Sequence, residues 1–357
     1  NIQDQTSPNL AHIPTTNLIT YSANTSTWTK SLWTTTDDYA ISPDGTQNAF
    51  RGVSTSNASL LYINGLGSAG TNTISIYAKS NTASDQKFRF FGNGNTTQST
   101  DQIATQEWQR FEYTEEYTAV TWGLLGASVS GTNDILFYGI QHEVQHQATA
   151  YLPSYGIASV RKATTTNLLL YSEDFSQSYW IKAAASVTSG FISPDGTANA
   201  YKLVEDTSTG IHRISVDGIT VVTEIYNVSI YVKPNGRNEI RVSLVNYFSS
   251  GTDAYFNLDT KVITLGSLAI NGLIETLSNG WFRCSFTSKN VAFAGGNAKV
   301  YIDTALNGSN SYTGDGTSGV YIYGAQLEQQ TQVETYAPTY GLPVTIDLFT
   351  ENNYGTM

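Results

Sequence analysis

The segment His142-Glu143-Val144-Gln145-His146 has the residue types and spacing of a zinc-peptidase motif. In that motif two histidines four residues apart bind one Zn²⁺, and the glutamate acts as a general base, an arrangement that requires a helix. Here the segment follows the strand-like run Ile135-Leu136-Phe137-Tyr138. If the strand continues, the two histidine Cα atoms lie roughly 13 Å apart. We therefore expect the motif to be accidental.

The same stretch occurs a second time without its histidines. Gly139-Ile140-Gln141-His142-Glu143 corresponds to Gly324-Ala325-Gln326-Leu327-Glu328, and each is followed by Tyr-x-Pro-(Ser/Thr)-Tyr-Gly. Other segments match in the same order, with insertions between them. The matched pairs are 17–22 and 167–172, 28–30 and 180–182, 42–46 and 193–197, 74–79 and 228–233, and 108–110 and 281–283. The chain is therefore a tandem repeat, and its histidine-free copy argues against a zinc site.

The repeat predicts where the domains begin and end. We expect an N-terminal arm or linker at 1–16, a first repeat at 17–156, a linker at 157–166, a second and larger repeat at 167–341, and a C-terminal extension at 342–357. The extension could lead into a further module. We also expect the chain to be part of a longer protein.

The composition and the residue pattern favour strands. Only 13% of the residues are charged, and the 23 tyrosines outnumber the 18 lysines and arginines. Apolar and polar residues alternate in 228–233, which is the period of a half-buried strand. Pro-Asp-Gly at 43–45 and 194–196 marks tight turns. The sequence thus predicts an all-β protein with two tandem antiparallel β-sandwich or jelly-roll domains.

The charge excludes some classes of partner. The formal net charge is −11, and no basic cluster is available for nucleic acid or an anionic membrane surface. No apolar run is long enough to predict a membrane span. The single cysteine, Cys284, excludes an intramolecular disulfide and fits a buried apolar position.

The shared motifs resemble a known group of domains. They include Asn167-Leu168-Leu169-Leu170-Tyr171-Ser172, Ser193-Pro194-Asp195-Gly196-Thr197 and Asn279-Gly280-Trp281-Phe282-Arg283-Cys284. With the closing motifs, they are similar to the concanavalin-like or carbohydrate-binding-module-like jelly-roll domains of bacteriophage virion proteins. The resemblance covers nearly all of 17–341. It is weaker in the first copy, which lacks the Asn-Gly before Trp108 and the cysteine.

The resemblance implies a lectin-like or carbohydrate-binding-module-like sandwich with no catalytic set. We expect a non-catalytic virion structural protein, a tail fibre, head fibre or capsid decoration, on the virion surface. Its expected partners are other virion subunits, further copies of itself (most often as a trimer) and host-surface glycans. The alternative is a pair of accessory carbohydrate-binding modules of a secreted polysaccharide-degrading enzyme.

Aromatic residues outside the matched segments are candidates for glycan stacking or for subunit contacts. They are Trp33, Trp122, Tyr247, Phe248 and Tyr255. The tryptophans inside the matched segments are expected to pack in the core. They are Trp28, Trp108, Trp180 and Trp281.

Structural calcium is the one cofactor that the sequence raises. The weak candidates are Asp44 and Asp195 in the Pro-Asp-Gly turns, and Asp303 and Asp315, with Asn310, in the second repeat. An aspartate that bonds its own turn is the favoured interpretation for the first two. No other cofactor is expected.

Overall fold

The chain forms two compact units, Asn1–Ala163 and Thr164–Met357. The computed structural model describes residues 14–92, 97–119, 121–127, 132–222, 224–245, 251–289 and 297–348. Within these ranges there are many β-strands and no α-helix, which confirms the all-β class. No helix in the same ranges has the length and hydropathy needed to cross a bilayer.

The first unit is a two-sheet sandwich. Its strands in the described residues are β1 (Thr15–Asn17), β2 (Thr29–Ser31), β3 (Trp33–Ile41), β4 (Gln47–Ser54), β5 (Leu60–Leu66), β6 (Gly70–Ser80), β7 (Gln86–Gly92), β8 (Thr97–Gln98), β9 (Gln102–Ala104), β10 (Gln109–Tyr117), β11 (Thr121–Ala127), β12 (Asn133–Glu143) and β13 (Ser159–Arg161). One sheet has the order β10-β6-β12-β4-β3, and the other has the order β2-β5-β11-β7-β8, with β9 paired to β7. The paired strands of both sheets run antiparallel.

The second unit is a larger sandwich of the same kind. Its strands in the described residues are β14 (Thr164–Asn167), β15 (Ile181–Ala183), β16 (Ala185–Phe191), β17 (Ala200–Glu205), β18 (Thr209–Ile211), β19 (Arg213–Thr220), β20 (Asn227–Asn235), β21 (Glu239–Val245), β22 (Asp253–Asn257), β23 (Ile263–Leu265), β24 (Ala269–Thr276), β25 (Phe282–Ser288), β26 (Asn297–Ala305), β27 (Ser311–Thr313), β28 (Gly319–Glu328) and β29 (Val344–Asp347). A 3₁₀ turn spans Ser278–Gly280. The sheet orders are β16-β17-β28-β20-β25-β24 and β15-β19-β26-β21-β22-β23, and β18 pairs β27 separately.

The two units share one topology, so the sequence repeat is also a structural repeat. The order β3-β4-β12-β6-β10 in the first unit corresponds to β16-β17-β28-β20-β25 in the second. In the same way, β2-β5-β11-β7 corresponds to β15-β19-β26-β21. The extra length of the second copy forms the β22–β23 hairpin and β24.

Each unit has its own core between its two sheets. In the second unit, Ile230 and Ile322 of one sheet join Ile214 and Val300 of the other in one buried cluster. Two of the four tryptophans of the matched segments lie in these cores, as predicted, and the other two lie in smaller clusters. Trp28 and Trp180 lie in the two cores, Trp281 is buried in a cluster against the outer side of its sheet, and Trp108 is partly buried in the corresponding cluster of the first unit.

The strands next to the closing motifs extend each unit beyond the predicted domain limits. β1 pairs β13 in the first unit, and β14 pairs β29 in the second. The described parts of the expected arm, linker and extension therefore supply the strands of two small sheets, one in each compact unit. Residues 1–13 and 349–357 lie outside the described residues, so the predictions made for them stay predictions.

Candidate functional site

The polar residues of the closing motif hold the framework together. Gln326 Oε1 accepts a hydrogen bond from Ala337 N at 2.8 Å. The buried Glu328 carboxylate accepts hydrogen bonds from the Thr165 hydroxyl at 2.5 Å and from Glu334 N at 3.0 Å. These bonds tie the last core strand to the entering strand β14 and to the returning loop. The motif that defines the repeat thus has a structural use.

The zinc-like segment lies on a strand, as expected. His142 is fully buried in β12, with Nε2 3.2 Å from Asn72 Oδ1 and its ring against Tyr117. Burial lowers the pKa of His142 to about 4, so the ring is neutral at physiological pH. β12 ends at Glu143, and His146 is exposed beyond it. The two histidines do not share a helical face.

The carboxylates of the turn aspartates accept hydrogen bonds from several donors of the protein itself. Asp44 Oδ1 accepts hydrogen bonds from the Ser42 and Thr46 hydroxyls, and Oδ2 accepts one from Tyr138. Burial by itself would raise the pKa of Asp44, but hydrogen bonds from Asn48, Ser42 and Thr46 lower it to about 2. Asp195 has the same kinds of donor in the second unit. Both residues are turn-forming aspartates, and their surroundings do not fit a calcium site.

The other two calcium candidates are bound by cations and amides. Asp303 lies between two arginines, and Asp315 accepts hydrogen bonds from the Thr317 and Ser318 amides and from Arg237. A Ca²⁺ ion beside guanidinium groups would be repelled. Within the described ranges, no group of three or more His, Cys, Asp or Glu residues could hold a metal ion. The calcium assignment of these aspartates is therefore corrected.

The aromatic candidates lie in different environments. Trp33 is 4% exposed and belongs to the core of the first unit, so its assignment to an exposed binding face is corrected. The side chain of Trp122, and all of Tyr247 and Phe248, lie outside the described residues. Tyr255 is partly exposed on β22. It belongs to an ordered group of polar side chains.

Four neighbouring strands of the second unit present this group on the outer face of their sheet. The antiparallel register aligns Arg213 of β19, Asp303 of β26, Arg241 of β21 and Tyr255 of β22. Tyr301 precedes Asp303 by two residues and so shares its face. The residues that alternate with them are in the core. We name these five residues the Arg–Tyr face.

Ion pairs join the centre of the Arg–Tyr face. Arg213 Nε lies 3.0 Å from Asp303 Oδ1, and Arg241 Nη1 donates to Asp303 Oδ2 at 3.1 Å. Arg241 Nε donates to Asp253 Oδ2 at 2.7 Å. Asn310 Nδ2 also donates to Asp303 Oδ2, at 2.6 Å. Asp303, which is fully buried, therefore fixes both guanidinium groups from below.

Aromatic rings hold the same guanidinium groups from the side. The guanidinium carbon of Arg213 lies 4.3 Å from the centroid of the Tyr301 ring, and that of Arg241 lies 5.7 Å from the centroid of the Tyr255 ring. The Tyr255 hydroxyl donates to Asn310 Oδ1 at 3.3 Å. The two arginine side chains are 19% and 18% exposed. Rings and guanidinium edges can thus be reached from solvent in a fixed geometry.

The charges of the face are matched. Burial would lower the pKa of Arg241, but the hydrogen bond and charge of Asp253 and the charge of Asp303 outweigh it and raise that pKa. Burial raises the pKa of Tyr255 above 10, so its hydroxyl stays neutral. Ser243, in register between Asp253 and Tyr301, is fully buried, and its hydroxyl has no partner in the described part of the chain. An unsatisfied buried hydroxyl is unfavourable and is uncommon in folded proteins.

Comparisons with known proteins find weak similarity to a few solved structures. No protein-family model matches the chain, and no curated protein matches it. Among solved structures, the N-terminal tandem CBM22 domains of Paenibacillus barcinonensis Xyn10C are similar at 17% identity and a TM-score of 0.31, over 89% of this chain and 98% of that one. The CBM22-1 xylan-binding domain of the same protein is similar at 20% identity and a TM-score of 0.29, over 37% of this chain and 96% of that one.

A third solved structure is the Clostridium thermocellum Xyn10B CBM22-1–GH10 modules complexed with xylohexaose. It is similar at 11% identity and a TM-score of 0.26, over 38% of this chain and 28% of that one. Identities and TM-scores of this size do not establish a shared function. The sandwich fold of each unit rests on its own strand pairings.

The first unit does not repeat the Arg–Tyr face in its described residues. Its corresponding strands are β5, β11 and β7. Leu61 and Phe90 belong to the core, so their neighbours Leu60, Tyr62 and Phe91 lie on the outer face. Lys87 and Arg89 of β7 share this face and pair with Asp101, so it combines apolar residues with one group of ion pairs. The two copies therefore differ in surface chemistry on one framework.

Sequence reasoning found only part of the face. Tyr255 was predicted as a contact residue, and Asp303 was predicted as a calcium ligand. The other three residues, Arg213, Arg241 and Tyr301, were not predicted. A usable signal was present, because large polar residues occupy alternate positions of these strands. Strand pairing, which brings them together, cannot be read from that alternation.

Proposed function

We propose that this chain is a non-catalytic virion structural protein whose second sandwich binds saccharides on the Arg–Tyr face. The observation that carries the binding part is the fixed row of two partly exposed tyrosine rings and two guanidinium groups across adjacent strands. Such a row offers the two kinds of contact that a sugar needs. Rigid strands hold both kinds in place without a ligand, which limits the ordering cost of binding.

The chemistry of the face suits a sugar. The apolar C–H faces of a pyranose pack on the Tyr255 and Tyr301 rings, whose bodies are apolar and whose hydroxyls are polar. Sugar hydroxyls accept hydrogen bonds from the N–H groups of Arg213 and Arg241 that Asp303 and Asp253 do not use. Asp303 itself orients the arginines and does not touch the ligand.

The virion part of the proposal rests on the resemblance of the shared motifs. In this proposal the protein lies on the virion surface as a fibre or decoration, associates as a trimer, and contacts other virion subunits. The motif residues serve the framework, which fits a protein that displays variable surfaces. The function is adhesion and assembly, without a chemical step.

A glycan array with the purified chain tests the binding part. Tyr255→Ala should weaken binding to the best glycan by more than about fivefold, the effect of removing a contact residue that matters energetically. Tyr321→Ala is the matched control, because Tyr321 is a partly buried tyrosine on the other sheet of the same unit. Absence of binding to every glycan, or equal losses in both variants, would contradict the proposed site.

Location and assembly are tested separately. Electron microscopy of particles with a labelled antibody should place the protein on the virion, and light scattering should give the mass of a trimer. A monomer that is secreted together with a polysaccharide-degrading enzyme would instead support the accessory-module alternative. That result would leave the glycan site in place and remove the virion role.

A further inference from the structure

We infer that the Arg–Tyr face selects uncharged saccharides and that Asp253 sets this selectivity. The inference rests on the proposed glycan-binding function and concerns the class of ligand. It starts from the pairing of every charge at the site. The two guanidinium groups face two carboxylates, so the centre of the site has no net charge.

An acidic sugar would meet occupied arginines. Arg213 is paired with Asp303, and Arg241 is paired with both Asp303 and Asp253. A ligand carboxylate or sulfate would have to displace one of these partners or lie close to its negative charge. The chain as a whole carries a net charge of −11, which adds long-range repulsion. A neutral hydroxyl only needs an N–H that remains available.

The two carboxylates differ in what they do. Asp303 is fully buried and holds Arg213, Arg241 and Asn310 together, so its loss would damage the face. Asp253 stands at one end, its side chain is 14% exposed, and within the described residues its carboxylate binds Arg241 alone. It neutralises one arginine without supporting the rest. A change at Asp253 can therefore alter charge and leave the geometry intact.

The remaining charged groups around the face do not change this balance. Lys299 lies two residues before Tyr301 on β26, and its Nζ is 2.7 Å from Asp217 Oδ2. Glu239 lies two residues before Arg241 on β21 and accepts hydrogen bonds from Asn257 and the Gly308 amide. No unpaired cation faces the site from the described residues of these strands.

Asp253→Asn tests the inference in the full chain. Asparagine has the same shape and keeps an oxygen that can accept from Arg241, so the fold should survive. The variant leaves one positive charge unmatched at the face. Asp134→Asn is the matched control, since it removes the same charge from an arginine pair, Arg51 with Asp134, in the other unit.

The probes are neutral hexose and pentose oligosaccharides and, in parallel, uronate-containing and sulfated oligosaccharides, all at about 0.15 M salt to screen distant charges. The chain should bind neutral probes and not acidic ones. Asp253→Asn should bind acidic probes at least about fivefold more tightly than the unchanged chain, the scale of one partly exposed charge pair. Asp134→Asn should not.

Each outcome has a distinct meaning. Binding of acidic probes by the unchanged chain as tightly as neutral ones overturns the selectivity and leaves the proposed function standing. An equal gain in both variants assigns the effect to overall charge and also overturns the role of Asp253. If no probe binds any of the three proteins, the proposed function itself fails. Circular dichroism confirms that the variants are folded.

Discussion

Asp303 shows how a single residue can hold a whole surface in order. It is a fully buried carboxylate in a strand, a position that is unfavourable for a charge without partners. Arg213 and Arg241 supply the opposite charges and Asn310 a further donor. The four residues come from three strands and one loop. The buried charge is stable only because all of them meet.

Replacement of Asp303 should therefore be strongly destabilising. Asp303→Ala leaves two partly buried guanidinium groups without their common partner, which should lower the free energy of unfolding by about 3–5 kcal/mol. Urea unfolding monitored by tryptophan fluorescence measures it. Asp217→Ala, which breaks a more exposed pair with Lys299, should cost less than about 1 kcal/mol. Similar losses in the two variants would refute the role assigned to Asp303.

Glu328 should make the stability of the second unit depend on pH. Burial raises its pKa from 4.5 to about 7, against the smaller opposing effects of hydrogen bonds from Thr165 and Glu334. The folded protein thus binds the proton more tightly than the unfolded chain. Its contribution favours folding below about pH 4.5 and is lost as the pH rises through 7.

Glu328→Gln removes this dependence, because the amide is neutral at every pH and keeps an acceptor oxygen. From pH 5 to pH 8 the variant should gain up to about 3 kcal/mol in unfolding free energy relative to the unchanged chain. Urea unfolding of both proteins at the two pH values gives the difference. Glu224→Gln, at an exposed position, should show no such change. A constant difference between pH 5 and pH 8 would rule out the assignment to Glu328.

Within the closing strand β28, position 324 requires glycine for two reasons, the backbone conformation and the lack of space for a side chain. Its φ is +59°, a left-handed value that favours glycine. A Cβ placed there would lie 2.8 Å from Tyr231 and 3.1 Å from Tyr336. Gly139 has the same conformation in the first unit, with Tyr151 above it. The shared glycine thus lets a tyrosine ring of the closing motif cover the strand.

Gly324→Ala should cost more than backbone strain alone. Gly218 is the matched control, because it has a φ of +77° in a strand of the same unit and a Cβ there would meet open space. Gly218→Ala should cost about 1 kcal/mol, and Gly324→Ala at least about 1 kcal/mol more, since two rings must move. Thermal unfolding of both variants measures the difference. Equal costs would show that ring contact at Gly324 contributes nothing.

The sequence predicted which segments form strands better than it predicted which strands contact one another. Alternation and Pro-Asp-Gly turns were enough for the strands, because both are local signals, and the ordered matches between the copies were enough for the repeat. In the sequence, Asn167 could be recognised only as a residue that both copies share. In the structure its amide group donates to the carbonyl oxygens of Ala325 and Ala337, which lie 158 and 170 residues away in sequence. Such a role depends on which strands become neighbours, and local pattern does not specify that.

The same limit applies to the candidate site. Asp303 pairs with residues 90 and 62 positions away in sequence. Tyr255 could be selected because it lies in a segment that the first copy lacks. Trp33 was selected by the same rule and lies in the core, since a segment that is not matched between copies can still form a core strand. A segment that differs between the two copies can be assigned to the surface only when the structure shows which strands form the core.

At the scale of the whole molecule, each unit has a complete sandwich with its own buried core. Phe50 is fully buried in the first core and Phe286 in the second. Neither cluster contains residues of the other unit. A chain with two separate cores is expected to unfold in two steps when neither core requires the other.

Two matched variants of the full chain test this expectation. Phe50→Ala and Phe286→Ala each remove a fully buried ring, which should cost about 3–5 kcal/mol in the affected unit and lower its melting temperature by on the order of 10 °C. In scanning calorimetry, each variant should move or abolish one transition and leave the other within about 2 °C of its original position. The two variants should affect different transitions. Movement of both transitions in both variants would show that the repeats unfold as one cooperative body, and that the tandem arrangement contributes to stability.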